Sequence, residues 1–437
     1  MVDPAIDIDV DLDVQEILLA ASQHDIPQLR RLIRGNETSG NPANVKDPET
    51  GYSPLHAAIA ACEPDEEEEE EEEEEHEPPV NGGAPNGVEP ENKQATEHES
   101  MIRSGVQTVK FLLQEGAIWN DLDLNNETPG CIARRLGFTE LYEMIVDAGV
   151  RAELLLNRLD GYEQLSDDED EMEEDEEQQR GGSGAAQTAE AEAVPELVDA
   201  AAASSTAPAA AAAAAAEPHV TNSRYLNSDL TFQNDRLLDQ DQNGVMMAWE
   251  SDIMARSAKK LLPTPGLRVL NVGHGMGIVD GFLQEQSPAS HHIIEAHPEV
   301  VAEMKRKGWH EKPGVTIHEG RWQDIVPGLV AQGEMFDAIY YDTFAESYAD
   351  FREFFTEQVI GLLDQEGKWS FFNGMGADRQ ISYDVYQKVA EMDLFEAGFD
   401  VEWEEINVPK LEGEWNGVRR PYWMIDDYRL PLCKYMD

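Results

Sequence analysis

Leu267-Arg-Val-Leu-Asn-Val-Gly-His-Gly-Met-Gly277 decides the reading of this chain. An apolar run breaks into glycines at positions 273, 275 and 277, and a helix-like segment follows. Glycine lets the backbone approach a nucleotide-like ligand where a side chain would collide, and a helix N-terminus aims its free amides at that ligand. Such turns serve many dinucleotide and nucleoside ligands. The weight of this one comes from its surroundings.

From 219 to 437 apolar strands alternate with amphipathic helices. Strand-like runs fall at 267–272, 291–296, 315–318, 336–341, 369–372, 401–406 and 422–425, with helical patterns at 298–307, 350–363 and 382–396. Alternation of this kind implies a parallel sheet with helices on both faces and ligands at the carboxyl ends of the strands. Only a loop separates the last two runs, which predicts a terminal antiparallel hairpin. That is the pattern of a Rossmann-like methyltransferase rather than a dehydrogenase, so the fold expected here is α/β.

Upstream, residues 1–160 read as helical. The run Val14 to Ile33 has apolar residues at helical spacing, split at Asp25-Ile-Pro27. Gly51-Tyr-Ser-Pro-Leu-His-Ala-Ala-Ile59 resembles the start of an ankyrin repeat, where a hydroxyl caps, Pro fits the first turn and small Ala residues let helices pack closely. A degenerate second copy is Glu127-Thr-Pro-Gly-Cys-Ile-Ala133, preceded by Val109 to Ala117 with the Gly-Ala ending of a repeat. Pro54 and Pro129 lie 75 positions apart, against a repeat of about 33. The excess matches an acidic, Pro/Gly/Asn-rich insertion at 63–100, read as disordered. Residues 161–218, acidic and then Ala-rich, have almost nothing to bury a helix against and read as a disordered linker.

Charge narrows the partners. The 437 residues hold 32 Lys+Arg against 89 Asp+Glu, a formal net charge of −57. The segments Glu63–Glu77 and Asp160–Glu177 account for 13 and 12 acidic residues, yet the part from His219 onward still carries 37 acidic against 20 basic. That field disfavours nucleic-acid backbones and anionic membranes and favours cationic partners, with plain solubility as the competing explanation. Cys62, Cys131 and Cys433 are far apart and form neither a disulfide framework nor a metal-spacing pattern, which fits a reducing compartment. The N-terminus is acidic where a signal peptide is basic, and no apolar run reaches spanning length, so a soluble, intracellular protein is expected.

Chemistry gathers at the strand ends. Glu295 closes the second strand 22 residues beyond Gly273, the place for a carboxylate that takes the two hydroxyls of a ribose. In Gly320-Arg-Trp-Gln-Asp324, Trp322 suits stacking on a base and Asp324 suits accepting from its amino group; a buried structural Trp is the alternative. Asp342 closes the fourth strand, and Glu250 follows the apolar Val245-Met-Met-Ala-Trp249. Two carboxylates match the planar fork of a guanidinium. They also answer its chemistry, because methyl transfer to a guanidinium needs its charge localised and a proton accepted. His274 reads as a loop residue lining the cofactor site, with nothing nearby to pair with it as acid or base, and His291 and His292 read as structural.

The series Val-Met-Met-Ala-Trp-Glu, Val-Gly-His-Gly-Met-Gly, Ile-Ile-Glu-Ala-His, Gly-Arg-Trp-Gln-Asp and Tyr-Tyr-Asp-Thr-Phe resembles guanidinoacetate methyltransferase. It is more similar still to the fungal protein arginine N-methyltransferase 2 family, type IV enzymes that join ankyrin-like repeats to this catalytic domain and methylate the δ nitrogen of arginine. The resemblance covers 220–437 and the repeats, not the acidic insertions. It implies an S-adenosylmethionine site built from Tyr225, Met254, Gly273, His274, Gly275, Met276, Gly277, Ile278, Glu295, Ala296, His297, Arg321, Trp322, Gln323 and Asp342. It implies Glu250 and Asp342 as the catalytic pair, no metal, and a large-subunit ribosomal protein as target in cytoplasm and nucleus. Asn271 departs from methyltransferases in general, where an acidic residue often precedes the turn; this family tolerates it. Oligomeric state is open, with a monomer as the working expectation.

Two other readings stay in play. One is methylation of a small free guanidino compound, which needs no protein-docking module. The other is an ankyrin scaffold with a vestigial catalytic domain, against which the intact cofactor motifs speak.

Overall fold

Strand β4 (Arg268–Val272) forms because four of its five residues are buried, so an apolar strand is covered on both faces. The computed structural model describes residues 12–35, 41–63, 91–159, 220–233 and 235–436; the expected linker and most of the expected insertion lie outside them. Beside β4 run β5 (Ser290–Glu295), β6 (Val315–Glu319), β7 (Phe336–Tyr341) and β8 (Leu363–Phe371), and β9 (Phe399–Asn407) and β10 (Asp427–Tyr435) complete a seven-stranded sheet. Its order is β6-β5-β4-β7-β8-β10-β9, with β10 antiparallel to both its neighbours and the β6-to-β8 core parallel. The strand order switches sides at β4, with β5 on one side and β7 on the other, and this opens the crevice in which such sheets bind ligands.

The hairpin is present, but its second strand is not 422–425. Those residues are irregular, and the strand starts at Asp427. Pro431 inside β10 hides that strand from sequence, since Pro is out of place in a central strand. Trp423 and Ile425 instead bury their side chains in a local core with Ile253, Tyr383 and Tyr428. The helical pattern at 350–363 is broken into Tyr348–Glu353, a π turn Phe354–Gln358 and Val359–Leu362. A small antiparallel sheet of β1 (Thr231–Phe232), β2 (Arg236–Leu238) and β3 (Gly244–Met247) has no counterpart among the expected strands. Strands this short fall below the length at which alternation is readable.

In the N-terminal part, helices Leu12–Ser22 and Ile26–Arg34 are split where expected, with Asp25 accepting from the Gln28 amide. Helices begin at Pro54 and Pro129 behind Ser53 and Thr128. His56 takes the Ser53 amide on Nδ1, closing the turn. One expectation fails: the helix Glu91–Gln114 starts inside the segment read as an insertion ending at 100. Its first turns lack an apolar stripe but are rich in good helix formers, Glu, Lys, Gln and Ala.

Helices Pro129–Arg135 and Thr139–Leu159 cover the helix Gln380–Glu396 of the sheet domain. Gly130 sits on Ile381, and Gly149 on Val385 and Trp119. Tyr142 donates to Asp384 at 2.5 Å and Tyr386 to Glu153 at 3.1 Å. One buried apolar cluster therefore runs from Leu29 and Ile145 through Ile381 to Trp369.

Two glycines test this packing in opposite directions. A Cβ on Gly149 falls 2.7 Å from Val385 Cγ2, whereas one on Gly281, in the helix Ile278–Glu285, meets nothing within 4 Å. Gly149→Ala should lower stability by about 1–3 kcal/mol despite the better helix former. Gly281→Ala should raise it by about 0.5–1 kcal/mol. Urea denaturation midpoints of the two variants check the contrast; equal shifts would contradict it.

Candidate active site

At Gly273 the chain leaves β4 with φ +94, and a Cβ there falls 1.8 Å from the carbonyl oxygen of Asp342. Asp342 in turn donates its amide to the Val272 carbonyl at 2.9 Å. No side chain fits, so the turn and the end of β7 close on each other. Gly275 and Gly277 are also left-handed, at φ 55 and 81, and the helix Ile278–Glu285 starts from Gly277.

Glu295, at the end of β5, holds this turn. One carboxylate oxygen accepts the amides of His274 at 2.8 Å and Gly275 at 3.3 Å, and the other accepts the His297 amide at 2.7 Å. It stands at the strand end and is 6% exposed.

His274 differs from expectation. It does have a partner: Nδ1 lies 2.6 Å from Asp280, which also takes His291 Nε2 at 2.8 Å and Asn271 Nδ2 at 2.9 Å. All four side chains are buried beneath the turn. Gln284 Nε2 donates to His291 Nδ1 at 2.8 Å, which leaves Nε2 as the protonated nitrogen of His291. Although burial opposes it, the histidines hold the Asp280 carboxyl down at about 2. Asn271, in the position where an acidic residue was the general expectation, also donates to the Gly273 carbonyl at 2.8 Å. Asp280 sits nine residues on, so no local spacing announced the pair.

A cleft opens above the turn, lined by Tyr225, Met246, Gly273, Gly275, Glu295, Ala296, Arg321, Trp322, Asp342 and Glu346 among others. Of the residues carried over from the family, these include eight. Met276, Gly277 and Ile278 lead into the helix behind the turn, and Met254 is wholly buried in the helix Ser251–Leu261. His297 packs at a tilt against Tyr225, with ring centroids 4.8 Å apart, and bonds its carbonyl at 3.0 Å. Trp322 is 2% exposed, packs edge-on with Phe354 and also lines the cleft, so the ring is a core element as the structural alternative has it. Asp324 faces solvent and is not among the lining residues, because it lies on the outer side of the helix Trp322–Gln332.

Glu250 and Asp342 come together. Glu250 is 3% exposed at the end of the turn after β3, and accepts from the Met247 amide and from the Tyr422 hydroxyl. Burial pushes its carboxyl well up, and the charge of Asp342 adds to this. Burial also pushes Asp342 up, to about 7, with Asp280 and Glu295 adding to it, and Asp342 Oδ2 is buried without a partner. A pair of carboxylates that resist ionising, one with a free oxygen, lacks a cation. A guanidinium or a sulfonium supplies one.

Sequence reasoning missed Tyr422 and Glu346. Tyr422 stood in a run taken for a strand, and its ring packs against Trp249 and Trp415 beside Glu250. Glu346 lies in the loop after β7, where no motif singled it out.

A profile of the guanidinoacetate N-methyltransferase family matches residues 221–412. Over the whole of both chains, the sequence is 77% identical to a protein arginine N-methyltransferase 2 of Emericella nidulans and 74% identical to that of Aspergillus fumigatus. The Neurospora crassa protein of the same name is 46% identical over 97% of this chain and 96% of its own.

Asp342 gives a pH dependence with a definite sign. The ionised form is the one that holds a cation, so activity should fall as pH drops through about 7. Its raised folded value also costs stability. The unfolded carboxyl ionises near its ordinary 3.8, and the folded one keeps its proton to about 7, so stability is lost across that window and stays lost above it. Discounted for its pocket-facing exposure, the loss is about 2–4 kcal/mol. Asp342→Asn should therefore melt higher than the parent at pH 8 while losing turnover, with the difference shrinking toward pH 4. A lower melting temperature at pH 8 would refute this.

Proposed function

The chain belongs to the protein arginine N-methyltransferase 2 family, and we propose that it methylates the internal, δ nitrogen of arginine in a basic protein. It is an S-adenosylmethionine-dependent enzyme. The observation that carries the proposal is the buried Glu250–Asp342 pair beside the glycine-rich turn, which has no lysine or arginine partner among the described residues.

The cleft fits the cofactor by its own chemistry: backbone held open by glycine, a strand-end carboxylate at Glu295, and an orphaned Asp342 oxygen. When bound, S-adenosylmethionine supplies an electrophilic methyl on a sulfonium. Glu250 and Asp342 hold the guanidinium through its two terminal nitrogens, as planar fork-to-carboxylate pairs do. That leaves the internal nitrogen as the one free to be alkylated. On transfer the methyl would leave sulfur as a neutral thioether while its bond to the nitrogen forms, and Asp342, with its raised affinity for protons, would accept the proton that the nitrogen gives up. Tyr422 donates to Glu250 and keeps it aimed. Much of the acceleration comes from holding the partners in line.

The substrate proposed is a protein of the large ribosomal subunit, in cytoplasm and nucleus, with the ankyrin-like helices docking it. The acidity of the sheet domain supports a basic partner over nucleic acid or membrane, and a monomer suffices for the chemistry proposed. The match of 221–412 favours a second reading, a free guanidino compound as acceptor.

Fragmentation of the methylated product by mass spectrometry tests the position: methyl on a terminal nitrogen would overturn the δ assignment. Glu250→Gln should cut turnover at least about 100-fold while S-adenosylmethionine still binds. A preference for guanidinoacetate over arginine-containing protein would favour the second reading.

A further inference from the structure

Asp342 Oδ2 is buried without a partner, so no hydrogen bond aims that oxygen. Its backbone is fixed where it leaves β7, by the amide bonded to the Val272 carbonyl at 2.9 Å. The loop that follows is strained. Ala345 is left-handed at φ 61, a conformation that disfavours a residue with a Cβ, so its surroundings must hold it there.

Glu346 supplies the hold. The Tyr341 hydroxyl and the Thr343 hydroxyl, the latter at 2.7 Å, both donate to Glu346 Oε2. These two donors flank Asp342 in sequence, and their bonds close residues 341–346 into a ring around one carboxylate. That carboxylate is anchored outside the ring. The Trp322 indole N–H lies 3.1 Å from both its oxygens, and the next residue, Ser347, caps the helix Tyr348–Glu353 in a reciprocal bond with Asp350. A carboxylate offers about four lone-pair sites. Those of Glu346 are spent on these donors and on Gln323 Nε2 at 3.4 Å, so although it lines the cleft it holds its neighbours rather than a ligand.

Building on the reading of Glu250 and Asp342 as a guanidinium clamp, we propose that Glu346 is a positioning residue that fixes the aim of Asp342 and so decides which guanidinium nitrogen is methylated. Two carboxylates that grip the terminal nitrogens leave the internal one free only while both stay in register. With the ring open, Asp342 swings, the guanidinium turns in its plane, and a terminal nitrogen comes into line. In either product a carbon–nitrogen bond replaces the carbon–sulfur bond and the alkylated nitrogen loses a proton; only the nitrogen differs.

Glu346→Gln and Thr343→Val open the ring, the second with the Trp322 contact left in place. Both full-length variants are given S-adenosylmethionine and the mixed proteins of the large ribosomal subunit. Turnover should fall at least about threefold, and fragmentation should place at least about a tenth of the methyl on terminal nitrogens, against none detectable for the wild type. By calorimetry, Thr343→Val should bind S-adenosylhomocysteine within about threefold of the wild type, while its complex binds an arginine-containing peptide at least about threefold more weakly. A merely structural role would slow turnover and leave every methyl on the δ nitrogen. That result, or wild-type turnover in the folded variants, overturns the inference. Should Glu346→Gln not fold, Thr343→Val decides alone. A wild type that methylates a terminal nitrogen overturns the δ reading, and the inference then requires that the variants redistribute the methyl; an unchanged distribution overturns it too. Failure of the wild type to methylate arginine overturns both.

Discussion

The approach of β4 to β7 at their carboxyl ends is the contact on which the rest of the cleft depends. With the Asp342 amide bonded to Val272 and its carbonyl oxygen 1.8 Å from where a Cβ of residue 273 would sit, the first glycine is a steric necessity of the sheet itself. The turn above β4 and the carboxylate after β7 are thus two consequences of one parallel register, Val272 opposite Tyr341. Anything that widened this pairing would move the carboxylate away from the turn.

Around that contact the protein accumulates buried negative charge and withholds the usual cations. Asp280, Glu295, Glu250 and Asp342 are satisfied, where they are satisfied at all, by amides, a tyrosine, an asparagine and histidines. Ion pairs with arginine do occur elsewhere, as in Arg268 with Asp337 and Arg429 with Asp384. The amides and the tyrosine that hold Glu295 and Glu250 are neutral and do not cancel the field of a carboxylate, so the attraction remains for a cationic ligand. Burial raises the cost of ionising both Glu250 and Asp342, with Asp342 adding to that of Glu250 and Asp280 and Glu295 to that of Asp342, and positive charge relieves it.

Legibility of the sequence followed the range of the interactions. The glycine turn, Glu295 and Asp342 were readable because strand, turn and strand-end carboxylate recur at short, fixed spacings. The parallel character of the sheet and the presence of a terminal hairpin were readable from the alternation of strands and helices. Asp280 was not, because its partners His274 and His291 come from a turn and a different strand, and only the fold joins them. Glu346 escaped for a similar reason: its donors span Trp322 to Thr343, and no motif marks a carboxylate whose task is to hold others. Tyr422 was lost to the misplaced last strand, where Pro431 broke the alternation that would have marked the true one.

The N-terminal helices have a second task besides any docking of a substrate. Ile381 and Val385 belong to the helix Gln380–Glu396, and their outer sides are covered by Gly130 and Gly149 rather than by solvent. The same helix carries Tyr383, whose hydroxyl accepts the Arg429 amide and packs near Trp423, itself against Trp249 beside Glu250. Removing residues 1–159 would expose that apolar face and unseat Asp384 from Tyr142, so the loss would reach the sheet domain whatever the substrate. A truncation therefore reports on the shared core before it reports on docking. Separating the two requires changes at solvent-facing positions of the N-terminal part, such as exposed Leu19 on its first helix or Leu124 in the turn before Pro129, which the core does not use.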